Sequence, residues 1–179
     1  MNNESTNVTD LANERAVLRD PPTARDKARF ELALHVIQQC PSANPDMEGA
    51  KLFGVIGGTV DAPRMIHMAE PLPVTDELLA LSGPVNPTEV FRFTATCAGT
   101  QCQHFDGHDC SLATRIVQLM PPVTAELPVC SIRTTCRWWL QEGAAACYRC
   151  PQIVSNSYNA SETMVRAADP KTPVLRVNG

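Results

Sequence analysis

Seven cysteines fall between positions 97 and 150, in two runs. The first reads Cys97-Ala-Gly-Thr-Gln-Cys102-Gln-His104-Phe-Asp-Gly-His108-Asp-Cys110, and the second holds Cys130, Cys136, Cys147 and Cys150. Thiolate is a soft donor that suits zinc and iron–sulfur centres. Several such donors must converge from loops, because no single helix or strand can surround a metal. Gly99 and Gly107 let the first run fold back on itself, and Gly99 lets backbone N–H groups come close to cluster sulfurs. The pattern predicts Cys97, Cys102, Cys110, Cys130, Cys136, Cys147 and Cys150 as metal ligands, with His104 and His108 as candidate ligands from the same loop.

Spacing helps to separate the metals. Structural zinc sites usually show two short C-x₂₋₄-C knuckles, or one knuckle and a histidine pair. Here Cys147-Tyr-Arg-Cys150 is the one short C-x₂-C knuckle, five residues separate Cys130 from Cys136, and ten separate Cys136 from Cys147. Such irregular steps, with Pro151 after the last cysteine, fit an iron–sulfur cluster of the 4Fe–4S kind; zinc is the alternative cofactor. Trp138 and Trp139 would wall such a centre from water, and Arg133, Arg137 and Arg149 would offset its negative charge. Two stoichiometries follow. Either four cysteines hold one cluster, or two sites exist, one on the second run and one on Cys97, Cys102 and Cys110 with a histidine. Cys40, outside both runs on an apolar stripe, reads as ordinary core, so its replacement is expected to change stability and not metal content.

These residues point first to a non-enzymatic iron–sulfur protein that transfers electrons to, or senses redox state for, a protein partner. A second reading is a zinc-stabilised interaction or regulatory module. A third is an enzyme or enzyme subunit in which a three-cysteine cluster leaves one iron open to substrate, bound with help from the Lys51–Phe93 region. There is no G-x-S-x-G, H-E-x-x-H or Walker lysine, and Gly54-Val-Ile-Gly57-Gly58 lacks the order of a dinucleotide loop. Trp138-Trp139 beside Arg137 could stack on bases, but four arginines face four acidic residues between Cys97 and Cys150, and the net charge is −4. Nucleic acid is therefore an unfavoured partner.

The elements that must position these residues read as an α+β fold: a small mixed helix and strand region followed by a cysteine-rich loop-and-helix metal-binding region. With 179 residues, 44% hydrophobic, the chain can bury a real core without a metal to rescue it. Boundaries fall at a polar N-terminal arm (1–25), the mixed region (26–96), the metal region (97–154) and a C-terminal tail (155–179) in which a short helix is expected around Met164 and a loose end from Asp169.

Phe30, Ala33, Leu34, Ile37 and Cys40 recur at helical spacing from Asp26 onward, and Pro41 would stop that helix. Residues 51–70 suggest two short strands, with Gly57-Gly58 marking a turn or bulge within the first. Thr75 caps a helix through Leu81, and Val90–Phe93 alternates as a strand. Helices follow over Leu112–Met120, ended by Pro121, and over Cys136–Glu142, capped by Thr134 or Thr135 and ended by Gly143, with a further turn over Ala144–Arg149. His35 and His67 stand in apolar surroundings and read as structural. The start of the chain lacks the basic and apolar features of a secretory signal, and no apolar run is long enough to cross a bilayer, so no membrane partner and a cytoplasmic, reducing location are expected.

Overall fold

The structure, a computed structural model, describes residues 38–59 and 62–175. They form a mixed α+β arrangement built on a four-stranded antiparallel sheet: β1 (Gln39–Ala43), β2 (Lys51–Gly58), β3 (Pro63–Pro73) and β4 (Phe91–Thr96), in the order β1-β4-β2-β3. β2 and β3 form a hairpin, and Gly58, at φ 84°, stands where a Cβ would lie 2.3 Å from the Ala62 carbonyl. β4 enters between β1 and β2, and Phe91 through Ala95 are all buried. Its alternation divides two surroundings. Phe91, Phe93 and Ala95 join Ala43 and Leu52 in one core, covered by Leu78 and Leu79 of α1 (Asp76–Ala80). Arg92 and Thr94 are the intervening, buried polar residues.

A second core forms where Phe53 of β2 packs with α3 (Ser111–Leu119), α4 (Arg137–Glu142), α5 (Ala144–Cys147) and Ala167 of α6 (Glu162–Ala168). Here α2 is the short turn Pro87–Val90 that leads into β4. The sheet and the cysteine-rich segment thus share one core, and the described residues fall within one compact unit. The expected C-terminal tail carries α6, whose last turn is held by the Arg115 Nε–H donating to the Ala167 carbonyl at 2.7 Å. Among the described residues no helix is long and apolar enough to cross a membrane.

Thr75 caps α1 as expected, its Oγ1 accepting from the Leu78 N–H at 3.2 Å. The α4 cap differs: Thr134 and Thr135 lie in a 3₁₀ turn (Arg133–Thr135), and Cys136 itself stands at the N-cap without a side-chain bond. The helix expected from Asp26 lies mainly outside the described residues. Its end requires a correction, because Gln39 and Cys40 belong to strand β1, where Gln39 pairs with Thr96 and Cys40 with Ala95. Pro41 is tolerated there because β1 is an edge strand with a register irregularity between Cys40 and Ala43.

Candidate metal centre

Strand pairing brings Cys40 to the first cysteine run. The Cys97 N–H donates to the Gln38 carbonyl at 2.8 Å, and Cys40 lies beside Ala95 one strand across. The loop after β4 then doubles back. Gly99, at φ 52°, opens a 3₁₀ turn, the Phe105 N–H donates to the Cys102 carbonyl at 3.0 Å, and Phe105 bridges to Cys110. As a result the thiol of Cys40 feels the charges of Cys110, Cys97 and Cys102. Burial, before those neighbours, pushes Cys40 up to about 12. Burial likewise raises Cys110, which also feels Cys102 and Cys97.

The second run gathers by itself. A 3₁₀ turn and α4 follow Cys130, Gly143 reverses the chain at φ 60° and ψ −143°, and α5 delivers Cys147 and then Cys150. Cys130, Cys136, Cys147 and Cys150 line one small cavity, together with Pro41, Phe53, His67, Ile132, Arg133, Trp138 and Trp139. Burial dominates the titration of all four, pushing Cys136 up to about 12 and Cys150 strongly upward; Cys136 also feels Cys130 and Cys147, and Cys150 feels Cys136, Cys147 and Cys130. All eight cysteines are free thiols. Cys130, Cys136, Cys147 and Cys150 thus share one cavity, whereas Cys97, Cys102 and Cys110 are the thiols whose charges reach Cys40.

Buried guanidinium groups accompany both sets. Arg115, 1% exposed, lies close enough to Cys110 to feel its charge, and its Nη2 meets His104 Nδ1 at 2.9 Å. That bond occupies one imidazole nitrogen of His104. His108 instead points into solvent, its side chain 89% exposed and 3.1 Å from Asp109. Arg92, 4% exposed, donates through Nη1 to the Thr88 carbonyl at 2.8 Å and through Nη2 to the Pro151 carbonyl at 3.3 Å, while its Nε has no hydrogen-bond partner. Burial brings Arg92 down to about 10, and the charge opposing that shift is Cys150. Arg133 sits 5.3 Å over the Trp139 ring, and its charge lowers Cys130 and Cys147 against the upward effect of burial.

No protein family, curated protein or solved structure matches this chain. The reading of the site therefore rests on its own chemistry.

Of the other residues expected around a centre, Trp138 and Trp139 do line the second cavity. Arg149 turns away to the carbonyls of Met120 and Ala145, at 2.6 and 2.8 Å. Arg137 reaches Gln38 Oε1 at 2.6 Å and the His108 carbonyl. Among the described residues, no three of His, Cys, Asp or Glu converge closely enough for a single metal ion.

Sequence reasoning missed Cys40, Arg92, Arg115 and His67 as neighbours of these thiols. One signal for Cys40 was arithmetic: seven cysteines do not divide into four-ligand sites, and eight do. For Arg92 it was a charge set within the apolar alternation of Phe91 and Phe93. His67 lines the second cavity with neither ring nitrogen partnered, and burial, then Arg133, holds it below the usual imidazole range.

Proposed function

We propose that this chain is an iron–sulfur protein with two clusters of the 4Fe–4S kind. Cys40, Cys97, Cys102 and Cys110 hold one, and Cys130, Cys136, Cys147 and Cys150 hold the other. It transfers electrons to, or senses redox state for, a protein partner. The observation that carries the reading is the gathering of Cys130, Cys136, Cys147 and Cys150 around one small cavity, beside a strand pairing that brings Cys40 toward the cysteine run after β4.

Two further features support it. A buried arginine also needs a counter-charge. The charge that opposes the burial shift of Arg92 is that of Cys150, whose thiol burial keeps protonated, and a thiolate-ligated cluster would supply a negative charge there. Finally, with four cysteines in each set no iron is left open, which favours electron transfer or sensing over the open-site enzyme. Eight unpaired thiols suit a reducing compartment, in keeping with a cytoplasmic location.

When bound, each cluster would supply one-electron redox chemistry. The chain's own part is to exclude water with Trp138, Ile132 and Phe53 and to place positive charge nearby through Arg92, Arg115 and Arg133. Exchanging Cys102→Ser or Cys147→Ser tests the assignment, with iron counted in protein purified without oxygen. Each is expected to remove about half of the iron. Unchanged iron in both variants would contradict the assignment.

A further inference from the structure

Strand β2 outruns its neighbour on one side. It extends to Gly58, yet β4 accompanies it only as far as Val55, where Phe91 is the partner. The chain before Phe91 coils into α2 instead of continuing the strand. Ile56, Gly57 and Gly58 therefore pair with Met65, Arg64 and Pro63 of β3 on one side and with no strand on the other. Successive residues of an antiparallel strand turn their N–H and C=O groups to alternate edges, so this stretch offers backbone groups on the side where β4 has ended. At Gly57 the space that a Cβ would occupy is open.

The same three residues line an open groove of about 1080 Å³, room for several residues of extended peptide. Arg92, 4% exposed, lines it as well. Its two terminal nitrogens donate to the Thr88 and Pro151 carbonyls, and its Nε has no hydrogen-bond partner. Among the described residues no carboxylate forms an ion pair with this guanidinium. Glu89, on the same groove, instead accepts the Tyr158 N–H at 2.9 Å. Val85 and Tyr158 also line the groove and stand 44% and 96% exposed, an apolar surface of the kind that binding sites leave open.

A strand edge, a buried cation without an anionic partner and exposed apolar side chains are separate features that one ligand would satisfy together. We propose that this groove binds a short extended peptide carrying one carboxylate, which adds as a strand to the edge of β2 at Ile56–Gly58 and turns its carboxylate toward Arg92. Backbone bonds to the free edge would supply affinity, and the guanidinium would select the charged group. A single carboxylate fits better than a phosphate, because one guanidinium meets one negative charge and a second charge would face Glu89. The inference does not rest on the iron–sulfur reading.

The test screens the full chain, purified without oxygen and fluorescently labelled, against short random peptides. One library has free carboxyl termini, and the other has terminal amides and no aspartate or glutamate. Binders are expected from the first library. Converting the carboxylate of the best binder to an amide should weaken it by about tenfold to a hundredfold, the worth of a hydrogen bond to a charged group. Val85→Trp, at an exposed position where folding is not at stake, should fill the groove and weaken binding too. Bound peptide should slow amide exchange within residues 56–58. Failure of both libraries to bind would overturn the proposal, as would binders indifferent to loss of the carboxylate. Binding that leaves amide exchange at 56–58 unchanged and ignores Val85→Trp would place the peptide elsewhere and overturn it equally.

Discussion

At the scale of single residues, Cys40 separates this account from a reading of the sequence alone. On its apolar stripe it looks like core, yet strand pairing with Ala95 brings it within electrostatic reach of Cys97, Cys102 and Cys110. Cys40→Ser is therefore expected to remove about half of the bound iron, as Cys102→Ser does, instead of altering stability alone. Iron analysis of the purified variant checks this.

The burial of the thiols has its own consequence. In the metal-free chain Cys40 and Cys136 keep their protons until about 12, whereas the unfolded chain loses them from the ordinary value of 9.0. Between those values the folded state binds more protons than the unfolded one, so stability falls as pH rises. Urea midpoints of metal-free protein under reductant should be lower at pH 10 than at pH 7. Metal-loaded protein, whose ligands are already deprotonated, should show a shallower decline. Arg92 and Arg115 were hidden from sequence reasoning for a related reason: a charge is tolerated in an apolar run only through partners that lie far away in the chain. For Arg115 those partners are the Ala167 carbonyl and His104.

At the scale of elements, most of the helices and strands were legible. The two strands of residues 51–70, the Thr75 cap, strand β4, helix α3 ending before Pro121, and the Gly143 stop all follow from local patterns of apolar spacing and turn residues, whereas Gly57-Gly58, read as a turn or bulge within the first strand, instead ends it. β1 was not legible, because a five-residue edge strand cannot be told from the end of a helix by periodicity. Its identity comes from pairing with β4, which no local pattern encodes.

Gly143 offers a test at this scale. Its φ of 60° and ψ of −143° lie in backbone space that is essentially reserved for glycine, and the space around its missing Cβ is open. Gly143→Ala should therefore act through backbone strain alone, costing about 1–3 kcal/mol. The same turn aims Cys136 and Cys147 at one cavity, so the variant should also lose iron from the second set faster on exposure to a chelator, while the first set keeps its iron. Equal loss from both sets, followed by timed iron release, would tell against this role for the turn.

At the scale of the whole molecule, the sheet and the cysteine-rich segment share a core to which Phe53, Ile116, Ile132 and Trp138 all contribute. The boundary drawn near residue 97 from composition reflects where the cysteines begin, and packing crosses it. Clustering of thiols in sequence was enough to suggest a metal, but the placement of Cys40 depends on a strand edge and that of Cys147 on a glycine reversal. The central claim is that the chain holds two four-iron clusters, and it is tested most directly by visible absorption with iron, sulfide and zinc analysis on protein purified without oxygen. The account predicts brown protein with broad absorption at about 400 nm that bleaches on reduction, and about eight iron and eight sulfide per chain. Colourless protein carrying stoichiometric zinc and no sulfide would contradict it.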